Sequence, residues 1–195
     1  MLLSGDPTIF EIALRSLRVT LTALAVSLFV GVPFGMALAL NRFPLRRLVV
    51  TGVNTGMGAP PVVVGLVVAL LFWRSGPLGF LGLMYTVTGM IIAQVLIAVP
   101  ITAGLSLAAI QQLDPGFRLQ ILSLGAGRTR LFLLLLREAR IPLLAAVMAA
   151  FGRVIAEVGA VNMVGGNISG ETQVLTTGIM QYVGMGEFSS AIALE

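Results

Sequence analysis

Arg153 and Glu157 stand four residues apart in an apolar stretch that runs from Ile141 to Gly165. On a helix that spacing places both side chains on one face, within reach of each other. An arginine at the centre of a membrane helix costs ~2.5–3.5 kcal/mol, and an aspartate about as much, so charges at such a depth need a partner or a use. One reading is a buried ion pair that fixes helix packing. Another is a gate or lining for an anion path, where the carboxylate moderates the grip of the guanidinium so that the ion can leave. Ala145 and Ala149 continue the row, and Gly152, Ala156 and Gly159 flank it. Such small residues let another helix approach closely. Asn54 and Gln94 are further polar residues inside apolar runs. They are candidates for the same path, although such groups also simply bond one helix to another.

The chemistry available is narrowed by what is absent. All twelve basic residues are arginine, and the chain has no lysine, histidine or cysteine. Without a lysine there is no phosphate-binding loop of the GxxxxGK[ST] kind, so no nucleotide hydrolysis of that type is expected in this chain. Cys/His zinc sites, haem ligation by histidine and Ser-His-Asp catalysis lack their essential atoms. No cofactor is therefore expected here. A membrane-embedded enzyme acting on lipid or peptide stays as an alternative, but only Arg153 and Glu157 ionise within the apolar runs. A metal-dependent one would want several carboxylates or histidines together.

These residues must be positioned by elements that live in lipid. Of 195 residues, 57% are hydrophobic and 10% charged, and the mean hydropathy is +1.03. Soluble proteins carry about 25% charged residues, so a water-facing exterior cannot be covered. An all-α integral membrane protein follows. The net charge of +4 raises nucleic acid as a partner, but the arginines lie between apolar runs, as membrane topology requires. Four runs reach the roughly 20 residues of a bilayer crossing: about 19–40, 48–73, 85–110 and 141–165, in a single domain 1–195. Pro60 and Pro61 interrupt the second. Ahead of the first, "PTIFEIALRSLR" reads as an amphipathic segment on the membrane surface. A cleaved leader is not expected, because the arginines come late and the run after them has the length of a retained span.

The arginines orient the spans. The connection 41–47 holds three and the connection 111–140 holds five. By the positive-inside rule both face the cytoplasm and the N-terminus faces out. After Gly165 comes a polar, glycine-rich tract that stops as an apolar run begins, so the chain is expected to end short of a last span.

The loop 111–140 has structure of its own. Asp114 and Pro115 read as N-cap and first residue of a short helix. Phe117, Ile121 and Leu124 form one apolar stripe on it. Gly125 and Gly127 end it, and a second helix starts near Thr129. Such a helix either lies on lipid or docks into a groove on a soluble partner.

Here the chain resembles a known group. The layout of short helix, "LGAG" at 124–127 and a helix entering the next span is similar to the cytoplasmic loop of type I ABC importer permeases. The general EAA triplet of that loop is absent, since Leu119, Gln120 and Ile121 stand in its place, and Arg137 and Glu138 replace its Leu-Pro. "REAR" at 137–140, "FGRVIAEVGAV" at 151–161, "MVGGNI" at 163–168 and "VLTT" at 174–177 resemble the tungstate-type permeases of the group. So do "PPVVVGL" at 60–66 and "RSGPLG" at 74–79.

The resemblance implies a permease that carries an oxyanion by alternating access, tungstate foremost, with molybdate, sulfate or another small anion as alternatives. It implies a homodimer around the path, ATP-binding-cassette ATPase subunits beneath it that hold the ATP and magnesium, and an extracytoplasmic anion-binding protein. The setting is the inner or plasma membrane, without nucleic acid. The helix 115–124 becomes the coupling helix, docking through Phe117, Ile121, Leu124, Gly125 and Ala126. A passive channel is the remaining alternative, and it needs no such docking helix.

Overall fold

The computed structural model describes residues 7–194, and among them the regular structure is entirely helical. The chain order is α1 (Pro7–Leu40), α2 (Arg46–Gly58), α3 (Pro61–Phe72), a 3-10 turn (Gly79–Leu81), α4 (Val87–Gln111), α5 (Pro115–Ser123), α6 (Arg128–Glu138), α7 (Arg140–Ile155), α8 (Gly159–Gly165), α9 (Leu175–Gly184) and α10 (Phe188–Ala193). α1 and α4 are each long and apolar enough to cross a membrane. The pairs α2–α3 and α7–α8 qualify if each bent pair counts as one span. The four expected runs are thus two continuous helices and two broken ones.

The segment expected to lie on the membrane surface is instead the first part of α1. Ile12, Ser16, Val19 and Ala23 recur every three to four residues and are all buried, as is Thr20 beside them. This stripe fastens the segment to the protein. Phe10, Leu14, Leu17 and Leu21 point outward, as lipid-facing residues do. No breaker separates residues 7–18 from the run after them. Pro33 lies inside the helix, which membrane helices tolerate where neighbours take up the freed carbonyl.

Two compact units make up the chain. One comprises Ser27–Gly58 and Val99–Ala150. Its core is aliphatic: Met36, Ile110, Ile121, Leu131 and Leu135 form one cluster, and Leu38, Val53, Ala103 and Leu107 another. "GVPFG" at 31–35 works here as a contact surface. A side chain on Gly31 would strike Thr102, and one on Gly35 would strike the Ala103 carbonyl. In "GVNTG" at 52–56 only Gly56 packs, against Pro100, while Gly52 has open space.

The other unit comprises the chain up to Val26, Ala59–Ala98 and the chain from Phe151 onward. Its apolar clusters centre on Val68, Phe72, Ala93 and Val164, and on Val19, Met90, Val161 and Val174. α3 and α8 pack tightly at one crossing. A side chain on Gly65 would overlap Ala160, and one on Gly159 would press on Val62. Small residues permit the close approach that helices in lipid depend on.

Candidate functional site

The coupling loop is built by local rules. Asp114 caps α5, its Oδ1 accepting from the Gly116 N–H at 2.7 Å. The helix ends on Leu124 with Gly125 at φ 74°. The Gly125 N–H donates to Leu122 O at 3.0 Å and the Ala126 N–H to Ile121 O at 3.3 Å. That pair of bonds is the Schellman motif, which the left-handed glycine makes possible. α6 then begins at Arg128, one residue from the expected start.

The apolar stripe does not face outward as its spacing suggested. Ile121 is 5% exposed and belongs to the core cluster of its own unit, with Phe117 packed against it. Only Leu124 of the three is free, at 86% exposed. The outward apolar residues are Leu119, Leu122 and Leu124. The correction has a plain cause: periodicity marks which residues share a face, not what that face meets, and Phe117 and Ile121 are taken by Leu131 and Leu135 of α6.

Arg153 and Glu157 do not pair. α7 ends at Ile155, so Glu157 falls past the last turn and the four-residue rule no longer applies. Arg153 is exposed, together with Ala145, Ala149, Gly152 and Ala156. Glu157 is 7% exposed, and its Oε1 accepts from the Ala160 N–H at 2.9 Å, at the start of α8. The buried row of α7 is Ala146, Ala150 and Val154 instead.

At the break the Val154 carbonyl keeps one local donor, the Glu157 N–H at 3.2 Å, and side chains from distant segments add further bonds. Gln94 Nε2 of α4 donates to Val154 O at 3.2 Å. The Thr176 hydroxyl of α9 donates to Glu157 O at 3.0 Å. Gln94 is 4% exposed. Together with Ser16, Thr20, Glu157 and Thr176 it lines a small cavity beside Val19, Ile155, Val174 and Leu175. Of the sequence candidates for a path, Gln94 and Glu157 therefore come together. Arg153 does not join them, and Asn54 is an exposed residue of the other unit.

Two features escaped sequence reasoning. Arg15 reaches the polar tract, its guanidinium donating to Gln173 O at 2.9 Å and to Gly170 O at 2.7 Å. The tract is itself knitted together: Asn167 Nδ2 and Gln173 Nε2 both donate to Gln181 Oε1, and the Thr172 hydroxyl donates to Gly165 O. The only advance signal was the density of Asn, Gln, Ser and Thr between Asn167 and Gln181.

Comparison with known proteins agrees with this architecture. Residues 31–194 match the family of binding-protein-dependent transport system inner membrane components. The tungstate uptake system permease protein of Peptoclostridium acidaminophilum is 41% identical over 194 residues, covering 100% of this chain and 85% of its own length. A probable anion ABC transporter permease protein of Haloferax volcanii is 40% identical over 184 residues, covering 92% of this chain and 79% of its own length. A sulfate transport system permease protein of Escherichia coli K12 is 30% identical over 202 residues, covering 97% and 69%. The chain belongs to the binding-protein-dependent transport system inner membrane components, the multi-pass permease subunits of type I ABC importers.

Proposed function

We propose that this permease carries tungstate inward by alternating access. The observation that supports the reading most is the 41% identity, end to end, with a permease named for tungstate uptake. Sulfate is the second reading, favoured by the Escherichia coli relative at 30%. The family implies a partner ATPase and a substrate-binding protein. ATP hydrolysis belongs to that ATPase, since this chain has no lysine for a phosphate loop.

The chain acts as a homodimer with its N-terminus outside and residues 41–47 and 111–140 in the cytoplasm. Two observations support this. Arginines concentrate in those two connections. Arg153, in an apolar run, is exposed among small residues on α7, a surface too costly to leave against lipid and suited to a second helix or a watery path. The guanidinium then offers an oxyanion its forked donors. On the inner face, α5 presents Leu119, Leu122 and Leu124 to a groove on the ATPase, and ATP-driven movement of that groove rocks the helices.

Cells lacking this gene test the reading through their tungsten content, measured by mass spectrometry. The intact gene should restore tungsten uptake, with sulfate uptake unchanged. Arg153→Ala should lower uptake while the permease persists in the membrane. Restoration of sulfate uptake alone would replace tungstate with the second reading.

A further inference from the structure

The cavity at the α7–α8 break has a one-sided hydrogen-bond inventory. The Ser16 hydroxyl donates to Ile12 O at 2.9 Å, and the same oxygen accepts from the Leu175 N–H at 2.7 Å. The Thr176 hydroxyl donates to Glu157 O. The amide nitrogen of Gln94 engages Val154 O, and its Oε1 is buried without a partner. Glu157 Oε1 takes a single bond, from Ala160. Thr20, 2% exposed, adds its hydroxyl to the lining. Most donors lining the cavity thus point away into backbone carbonyls, and what faces inward is lone pairs and a carboxylate.

Such a lining repels an oxyanion, so this is not a resting place for the transported anion. It suits an occupant that draws on several oxygens at once. We propose that the cavity binds one monovalent cation of sodium size. The ligands are the Glu157 carboxylate, Gln94 Oε1 and the hydroxyl oxygens of Ser16, Thr20 and Thr176. Charge decides between a cation and a water molecule. An ionised carboxylate so deeply buried is costly unless its charge is met. Among the described residues it has no arginine partner. A water would satisfy Gln94 Oε1 but leave that charge unanswered.

Size and charge select the cation. The cavity offers about 20 Å³ to a water-sized occupant, room for one small particle. Magnesium keeps several waters and calcium takes six to eight oxygens, commonly with more than one carboxylate. Here there is one carboxylate, and among the described residues no cluster of three or more acidic groups exists. The bound ion ties α1, α4 and the α9 start to the break.

The test uses the full chain, purified in detergent with its ATPase subunits. Thermal unfolding is followed in sodium, potassium and N-methylglucamine chlorides at equal ionic strength. A ligand that binds only the folded state raises Tm as its concentration passes Kd. Sodium should raise Tm by about 3 °C at tenfold Kd and further with the logarithm of its concentration, more than potassium does. Glu157→Gln and Thr20→Val should each abolish the rise, and Ser16→Ala serves where either variant fails to assemble. Equal Tm values in the three salts, or a sodium rise that survives Glu157→Gln, would overturn the proposal and leave an internal water as the occupant.

Discussion

The joint between α5 and α6 and the joint between α7 and α8 are both places where a helix stops and another starts within a few residues. They are held in different ways. The first is closed by its own neighbours: Asp114 caps the start, and Gly125 turns the end so that Leu122 and Ile121 carbonyls find donors. The second adds distant donors to its local bonds, which are the Glu157 N–H to Val154 O and the Ala160 N–H to Glu157 Oε1. Gln94 lies 60 residues from the carbonyl it serves, and Thr176 lies 19 away. Gly65 makes room for Ala160 from a third segment. A local joint is a property of a dozen residues, while a non-local one exists only once the fold is assembled.

The α7–α8 joint is most easily broken at Gly65. Gly65→Val should drive a side chain into Ala160 and destabilise the α3–α8 contact by about 3 kcal/mol, read as a lower Tm of the detergent-purified complex. Glu157→Ala comes next. It leaves the Ala160 N–H buried without an acceptor, at a cost of about 1–3 kcal/mol, and hydrogen exchange should open at α8 before α5. Gly125→Ala forces a left-handed conformation on a residue with a Cβ. It should cost about 1–2 kcal/mol, with the loss confined to the α5–α6 loop by hydrogen exchange. The smallest effect belongs to Glu157→Gln in a sodium-free buffer. Its amide oxygen still accepts from Ala160, so Tm should change by less than that of Glu157→Ala, and the difference sharpens capping against charge.

The same contrast explains what the sequence disclosed. The apolar runs were legible because apolar length is a property of single segments. The helix cap at Asp114 and the turn at Gly125 were legible because the partners are neighbours. The Arg153–Glu157 pair was not, since the four-residue rule assumes an unbroken helix and nothing local to Ala156 announces the break. Phe117 and Ile121 were misplaced outward because their partners, Leu131 and Leu135, lie on the next helix. The acceptor-lined cavity gathers Ser16, Gln94, Glu157 and Thr176 from four separate stretches, so no window of sequence contains it.

Transport itself offers the most direct test of the central claim. The permease is reconstituted into liposomes with its ATPase subunits, and the binding protein loaded with tungstate is added on the extracytoplasmic side. ATP on the opposite side should drive tungsten across the membrane, with no flux when ATP is withheld or when the binding protein is left out. Tungsten flux that proceeds equally without ATP would contradict the account and make the chain a passive channel.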